Sequence, residues 1–187
     1  SLYRNGLQTA KELIITMTAA NRVGILSAVT KSMSELGADL REASQTVVRG
    51  YFTMIFSAEF PDALESDLIR NHLQDSCRTF GIDVNIKDPA TEKPGEQTSE
   101  TSKLYSLRLG GDNQPGVLRE LSSMISMQRI DIAGMHAVRA RMGAGFEMVM
   151  KIAVPTDSDV NRLLAELNRI GKRFNMTADI ADIADYS

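Results

Sequence analysis

The chain holds one cysteine, Cys77, among its 187 residues, so it can close no disulfide within itself and build no thiolate metal cluster. A lone thiol suits a reducing compartment. No apolar run approaches the roughly 20 residues that cross a bilayer. The opening stretch 1–6 has no apolar signal core, so the expected location is the cytoplasm, away from any membrane. Basic residues are not in excess: 21 Lys plus Arg stand against 24 Asp plus Glu. That balance disfavours direct contact with nucleic acid, which normally requires a basic surface. Close His pairs, Cys clusters and a Gly-Lys-Ser/Thr phosphate loop are all missing. The expectation is therefore no metal site, no cofactor and no catalytic residues.

What the chain does have, it has twice. Asn21-Arg22-Val23-Gly24-Ile25-Leu26 returns as Asn113-Gln114-Pro115-Gly116-Val117-Leu118. In each copy an alternating apolar pattern stops just before the Asn and helical spacing begins near the Gly, so the hexapeptide is a strand-to-helix turn. Such a turn presents unsatisfied helix N–H groups, which together with the helix dipole favour an anion, and glycine leaves room for a ligand to touch backbone. A small carboxylate is the natural guest.

Around the first turn, Leu13, Ile15 and Met17 share one face of a predicted strand, and Ile25, Leu26, Val29, Met33 and Leu36 form a helical stripe stopped by Gly37. Two strands follow over 39–49 and 51–60, joined at Gly50, with Phe52, Met54, Phe56, Ala58 and Phe60 on one face. Pro61 and Asp62 are expected to open a second helix with Ile69, Leu73, Cys77 and Phe80 inward, and Ile82, Val84 and Ile86 give a last strand. Residues 88–103 are polar, with two prolines and a glycine, and read as a linker. The order then repeats: strand 104–110, helix from Pro115, strands 131–142 and 146–154, helix 157–174 and strand 176–183.

The predicted organisation is a domain over 1–87, a linker over 88–103 and a domain over 104–187. The fold class is α+β, with two tandem ferredoxin-like β-α-β-β-α-β units whose antiparallel sheets carry both helices on one face. Right-handed crossovers place the second and fourth strands at the sheet edges. The second strands, 43–48 and 132–138, lack the Lys, Glu, Asp or Pro that normally blunt a free edge. They are expected to pair with each other or with a second copy of the chain, making a homodimer. Cys77 and Met124, Met127, Met135, Met148 and Met150 are expected as core filler, and His72 as a solvated residue of the second helix.

With strand, Asn-x-x-Gly-(Ile/Val)-Leu turn, helix and Phe-x-Met hairpin in order, 11–87 and 104–183 resemble two tandem ACT domains, small regulatory modules that bind amino acids. The pair is most similar to the glycine cleavage system transcriptional repressor family, and 44–55 also looks like small single-ACT proteins. The family's turn often reads Asp-Arg-Pro-Gly-Ile; here Asn21 and Asn113 replace the Asp and Val23 replaces the first Pro. Asn at that place is similar to the serine-binding ACT domain of phosphoglycerate dehydrogenases. The resemblance implies a ligand held between the turn of one module and the second strand of another. The turn residues would be Asn21, Gly24, Ile25, Leu26, Asn113, Gly116, Val117 and Leu118, and the strand residues Ser44, Gln45, Thr46, His136 and Ala137. Helix amides would take a carboxylate and an Asn oxygen the ammonium group. The implied function is a non-enzymatic amino-acid sensor acting through a regulatory partner protein. Two alternatives stand beside it: a small hydrolase of acylphosphatase type, suggested by Arg22, and an interaction module without a ligand.

Overall fold

Strict alternation over β1 (Ala10–Ala20) buries Leu13, Ile15, Met17 and Ala19 and leaves their neighbours on the other face. The computed structural model describes residues 9–92, 101–112, 116–139 and 145–183. After β1 come α1 (Ile25–Glu35), β2 (Asp39–Val48), β3 (Tyr51–Pro61), α2 (Ser66–Ser76) and β4 (Asp83–Lys87). The same series follows as β5 (Ser102–Asp112), α3 (Val117–Met127), β6 (Asp131–Arg139), β7 (Gly145–Pro155), α4 (Val160–Arg173) and β8 (Met176–Asp182). The chain divides into two compact units between residues 97 and 98.

Each unit is one four-stranded antiparallel sheet, ordered β2-β3-β1-β4 in the first and β6-β7-β5-β8 in the second. This is the tandem ACT, ferredoxin-like arrangement that the repeated pattern predicts, with β2 and β6 at edges. Phe52, Met54, Phe56, Ala58 and Phe60 meet Ile25, Val29, Met33, Ile69 and Leu73 in the first core. Leu107, Leu109, Met148, Met150 and Ile152 meet Val117, Leu121, Ile125, Leu163 and Leu167 in the second. Both edge strands carry a bulge at the same place in the repeat, between Leu40 and Glu42 and between Ile132 and Gly134.

Several expectations change in the structure. Pro61 does not open α2; it ends β3 opposite Ala10, and a turn closed by Leu64 N–H donating to Pro61 O (3.0 Å) delays the helix to Ser66. A strand end tolerates the missing N–H of proline, and Pro155 repeats the device at the end of β7. Leu26 leaves the inward stripe and is 45% exposed, while Ser32 takes a buried place on it, its hydroxyl without a hydrogen-bond partner. Met148 and Met150 are core residues and Met124 packs partly against the core, but Met127 and Met135 are 82% and 58% exposed. His72 is paired rather than simply solvated, its Nε2 lying 2.9 Å from Glu35 Oε2 and joining α2 to α1.

Cys77 is fully buried at the end of α2. Burial, reinforced by the negative charge of Glu35, pushes its thiol pKa above the ordinary value. The unfolded chain therefore releases this proton more readily than the folded one, so the thiol's contribution to stability is present below its ordinary pKa of about 8.5 and lost as pH rises through the folded value. The parent's resistance to urea should fall on going alkaline, and Cys77→Ala should lose that part of the pH dependence. An identical alkaline profile in both proteins would show that the thiol does not contribute.

Candidate functional site

The turn between β1 and α1 is built on Gly24, whose φ of 93° is left-handed, and Gly116 stands before α3 with a φ of 87°. A side chain at either position would be strained whatever the surrounding space. Ile25 and Val117 begin the helices with their side chains in the cores, at 4% and 2% exposure, so only their backbone is available to a ligand. Leu26 and Leu118 point outward, and Val23 is fully exposed at the tip of the first turn.

Two contacts fix the first turn. Asn21 N–H donates to Gly50 O (2.8 Å) at the tip of the β2–β3 hairpin, where Arg49 and Gly50 both have positive φ, as a two-residue hairpin of this hand requires. The Arg22 guanidinium donates to Thr79 O (3.2 Å) beyond α2. That engagement turns Arg22 to holding the fold, which counts against its use as a phosphate cradle. Ile25 N–H reaches Arg22 O (3.3 Å) and Ala28 N–H reaches Gly24 O (3.0 Å), whereas the Leu26 and Ser27 amides have no backbone acceptor among the described residues. Those are the open donors expected of a helix start. The Asn21 side chain is exposed and does not cap α1; Gly24 occupies the cap position with no side-chain bond. Asn113 lies outside the described residues, as do Gln114 and Pro115.

The strand residues divide by register. Residues directly opposite in a sheet share a face. Gln45 lies opposite Met54 and Ala137 opposite Met148, both core residues, so Gln45 and Ala137 are on the helix side. Ser44, Thr46 and His136 lie opposite Ile55, Thr53 and Val149, on the helix-free face. The turn and the helix-side residues of β2, Ala43, Gln45 and Val47, thus belong to one side of the unit, with Ser44 and Thr46 on the other. All ten positions of β2 and all nine of β6 are exposed. Sequence reasoning did not find the Asn21–Gly50 and Arg22–Thr79 bonds, which join segments distant in the chain. Val23, an apolar residue outside the helical stripe, was a legible sign of an outward turn.

Among the described residues, no group of three or more His, Cys, Asp or Glu is placed to hold a metal, and no helix is long and apolar enough to cross a membrane.

A glycine-capped turn at one end of a β-α-β-β-α-β sheet with an uncovered second strand defines a small regulatory module present in two copies. The chain belongs to the ACT-domain family: the family model for the ACT domain matches residues 11–87. A UPF0237 protein of Corynebacterium diphtheriae is 42% identical over 78 residues, covering 41% of this chain and 88% of that protein. A UPF0237 protein of Streptococcus pneumoniae is 30% identical over 77 residues, 41% of this chain and 88% of its own length. Among solved structures, a protein of unknown function from Galdieria sulphuraria superposes with a TM-score of 0.75 at 16% identity, covering 94% of this chain and all of that one. A protein assigned as a glycine cleavage system transcriptional repressor gives 0.64 at 13% identity, covering 93% and 99%. At those identities the two structures establish the tandem fold.

Proposed function

We propose that this protein is a non-enzymatic, cytoplasmic amino-acid-binding regulator that acts through a partner protein in the control of amino-acid metabolism or its transcription. The observation that carries the reading is the solvent-open turn, with the free amides of Leu26 and Ser27 and the unbonded Asn21 side chain, in a chain whose β2 edge is bare along its length. The amides take the carboxylate and the Asn21 oxygen takes the ammonium group. The edge strand of a neighbouring ACT module closes the site, with Gln45 or Ala137 as its helix-side contacts. Pairing of bare edges makes a homodimer, and a ligand held at such a junction shifts assembly only through its differential affinity for the closed state. The fold shared with an assigned glycine cleavage repressor is in keeping with transcription as the output.

Calorimetry against the twenty amino acids tests this. One or a few should bind, and at 100-fold over its Kd a ligand should stabilise the fold by about 2.7 kcal/mol. Asn21→Ala removes a hydrogen bond to a charged group, about 1.5–3 kcal/mol, and should weaken binding about ten- to a hundredfold if the first turn is the site; Asn113→Ala tests the second in the same way. Silence across the panel, or full binding in both variants, would remove the turns from the mechanism.

A further inference from the structure

The two units close their helix pairs differently. In the first, Glu35 at the end of α1 meets His72 of α2, and Ser32 of α1 is buried. In the second unit the corresponding repeat positions hold Met127, Glu166 and Met124. Glu166 turns along its own helix to Arg169, at 2.9 Å, and the two helices are joined instead by Glu120 and Arg173. Between them lies a groove of about 490 Å³, lined by Arg119, Met124, Met127 and Ile170 together with Gly116, Ser123, Glu120 and Arg169.

The groove combines two chemistries. The partly buried Met124 is apolar surface within it, Ile170 lines it from the core at 4% exposure, and Met127, although on the surface, is a flexible thioether that can fold over a guest. Its charges are unequal. Glu120 is held by Arg173 and Arg169 by Glu166, whereas the exposed Arg119 guanidinium has no ion-pair or hydrogen-bond partner among the described residues. One cation is left over beside an apolar trough of a size that ordinarily holds a small ligand.

We propose that the α3–α4 groove is a second ligand site, taking a small amphipathic carboxylate whose apolar chain lies along Met124, Met127 and Ile170 and whose charge meets Arg119. It differs from the amino-acid reading above in using side chains of α3 and α4 and no edge strand, although Gly116 borders both the groove and the second turn. A free amino acid suits it poorly, because the groove supplies no uncommitted carboxylate for an ammonium group.

The test is titration of octanoate, well below micelle-forming concentrations, into the full chain carrying ¹³C-methyl methionine. The Met124 and Met127 methyl signals should move saturably, while Met33, buried in the first core, stays in place. Octylamine, with the opposite charge, should not reproduce the shift. Arg119→Gln should raise the octanoate Kd about fivefold, the upper range for an exposed ion pair, and Arg119→Glu should raise it further. Arg119 lies on an exposed helix surface, so both variants should keep the parent's circular dichroism. Unsaturable shifts spread over all methionines, equal response to octylamine, or unchanged affinity in Arg119→Glu would each overturn the proposal, and none bears on amino-acid binding at the first turn.

Discussion

Phe56→Ala should cost the first unit about 3–5 kcal/mol, the range for removing a large aromatic side chain from a packed core. Phe56 is 2% exposed at the middle of β3, between Ile15 of β1 and Ala43 of β2 in register, and Phe52 and Phe60 share its face. Phe56 belongs to the one buried cluster formed by the sheet with α1 and α2, and a unit of this size has no second core to compensate. Against a typical total of about 5–15 kcal/mol, the loss should leave β1 and β3 amides poorly protected in hydrogen exchange at room temperature. The neighbour is the control: Ile55 points to the other face and is 47% exposed, so Ile55→Ala should change stability by about 0.5 kcal/mol or less. Equal effects from the two substitutions would mean that the alternation along β3 does not separate core from surface.

Gly171→Ala should destabilise the second unit by about 2 kcal/mol or more, even though alanine is the better helix former by about 1 kcal/mol. A Cβ at Gly171 would stand 2.5 Å from Met176 O and 3.2 Å from Met176 C, both backbone atoms at the start of β8. Backbone cannot swing aside as a side chain can. Relief requires moving α4 off β8, after a tight return through Asn175 at positive φ. The first unit avoids the conflict at the same repeat position: Cys77 fits there because α2 has ended and a 3-10 turn, Arg78–Phe80, leads the chain away. Gly110→Ala serves as the comparison, since a Cβ there would meet nothing within 4 Å. A thermal melt in which Gly171→Ala matches or exceeds the parent would show that the helix yields at little cost.

The fold was legible because its signals are local and doubled. Alternation from Leu13 to Met17 and from Phe52 to Phe60 marks strands, glycines mark the turns, and one unit's reading checks the other's. What failed locally were boundaries and outward-facing residues. Pro61 can begin a helix or end a strand, and only the pairing of β3 with Ala10 decides between them. Leu26 and Ile25 are adjacent on a helix, about 100° apart, so the core can take one and leave the other. Met127 and Met135 are apolar residues that composition cannot place. The candidate site was legible as a turn but not as a set of contacts: Ser44, Gln45 and Thr46 are consecutive, and a pleated strand cannot aim all three the same way. His72 was misread because its partner, Glu35, lies on a different helix.

The matched bulges after Leu40 and Ile132 act as a parity setting. One extra residue, Arg41 in β2 and Ala133 in β6, exchanges the odd and even positions of everything downstream on the strand. With the bulge, Ala43, Gln45 and Val47 share the helix side; without it, Glu42, Ser44 and Thr46 would. Regular pairing of the same residues would thus rewrite the chemistry of the edge from an amide and aliphatic carbons to a carboxylate and hydroxyls, with no substitution at all, whereas deleting Arg41 together with its bulge would keep Glu42 opposite Ser57 and Ala43 opposite Phe56 and leave the faces as they are. Specificity along this edge is encoded as much in its pairing register as in the identity of its residues.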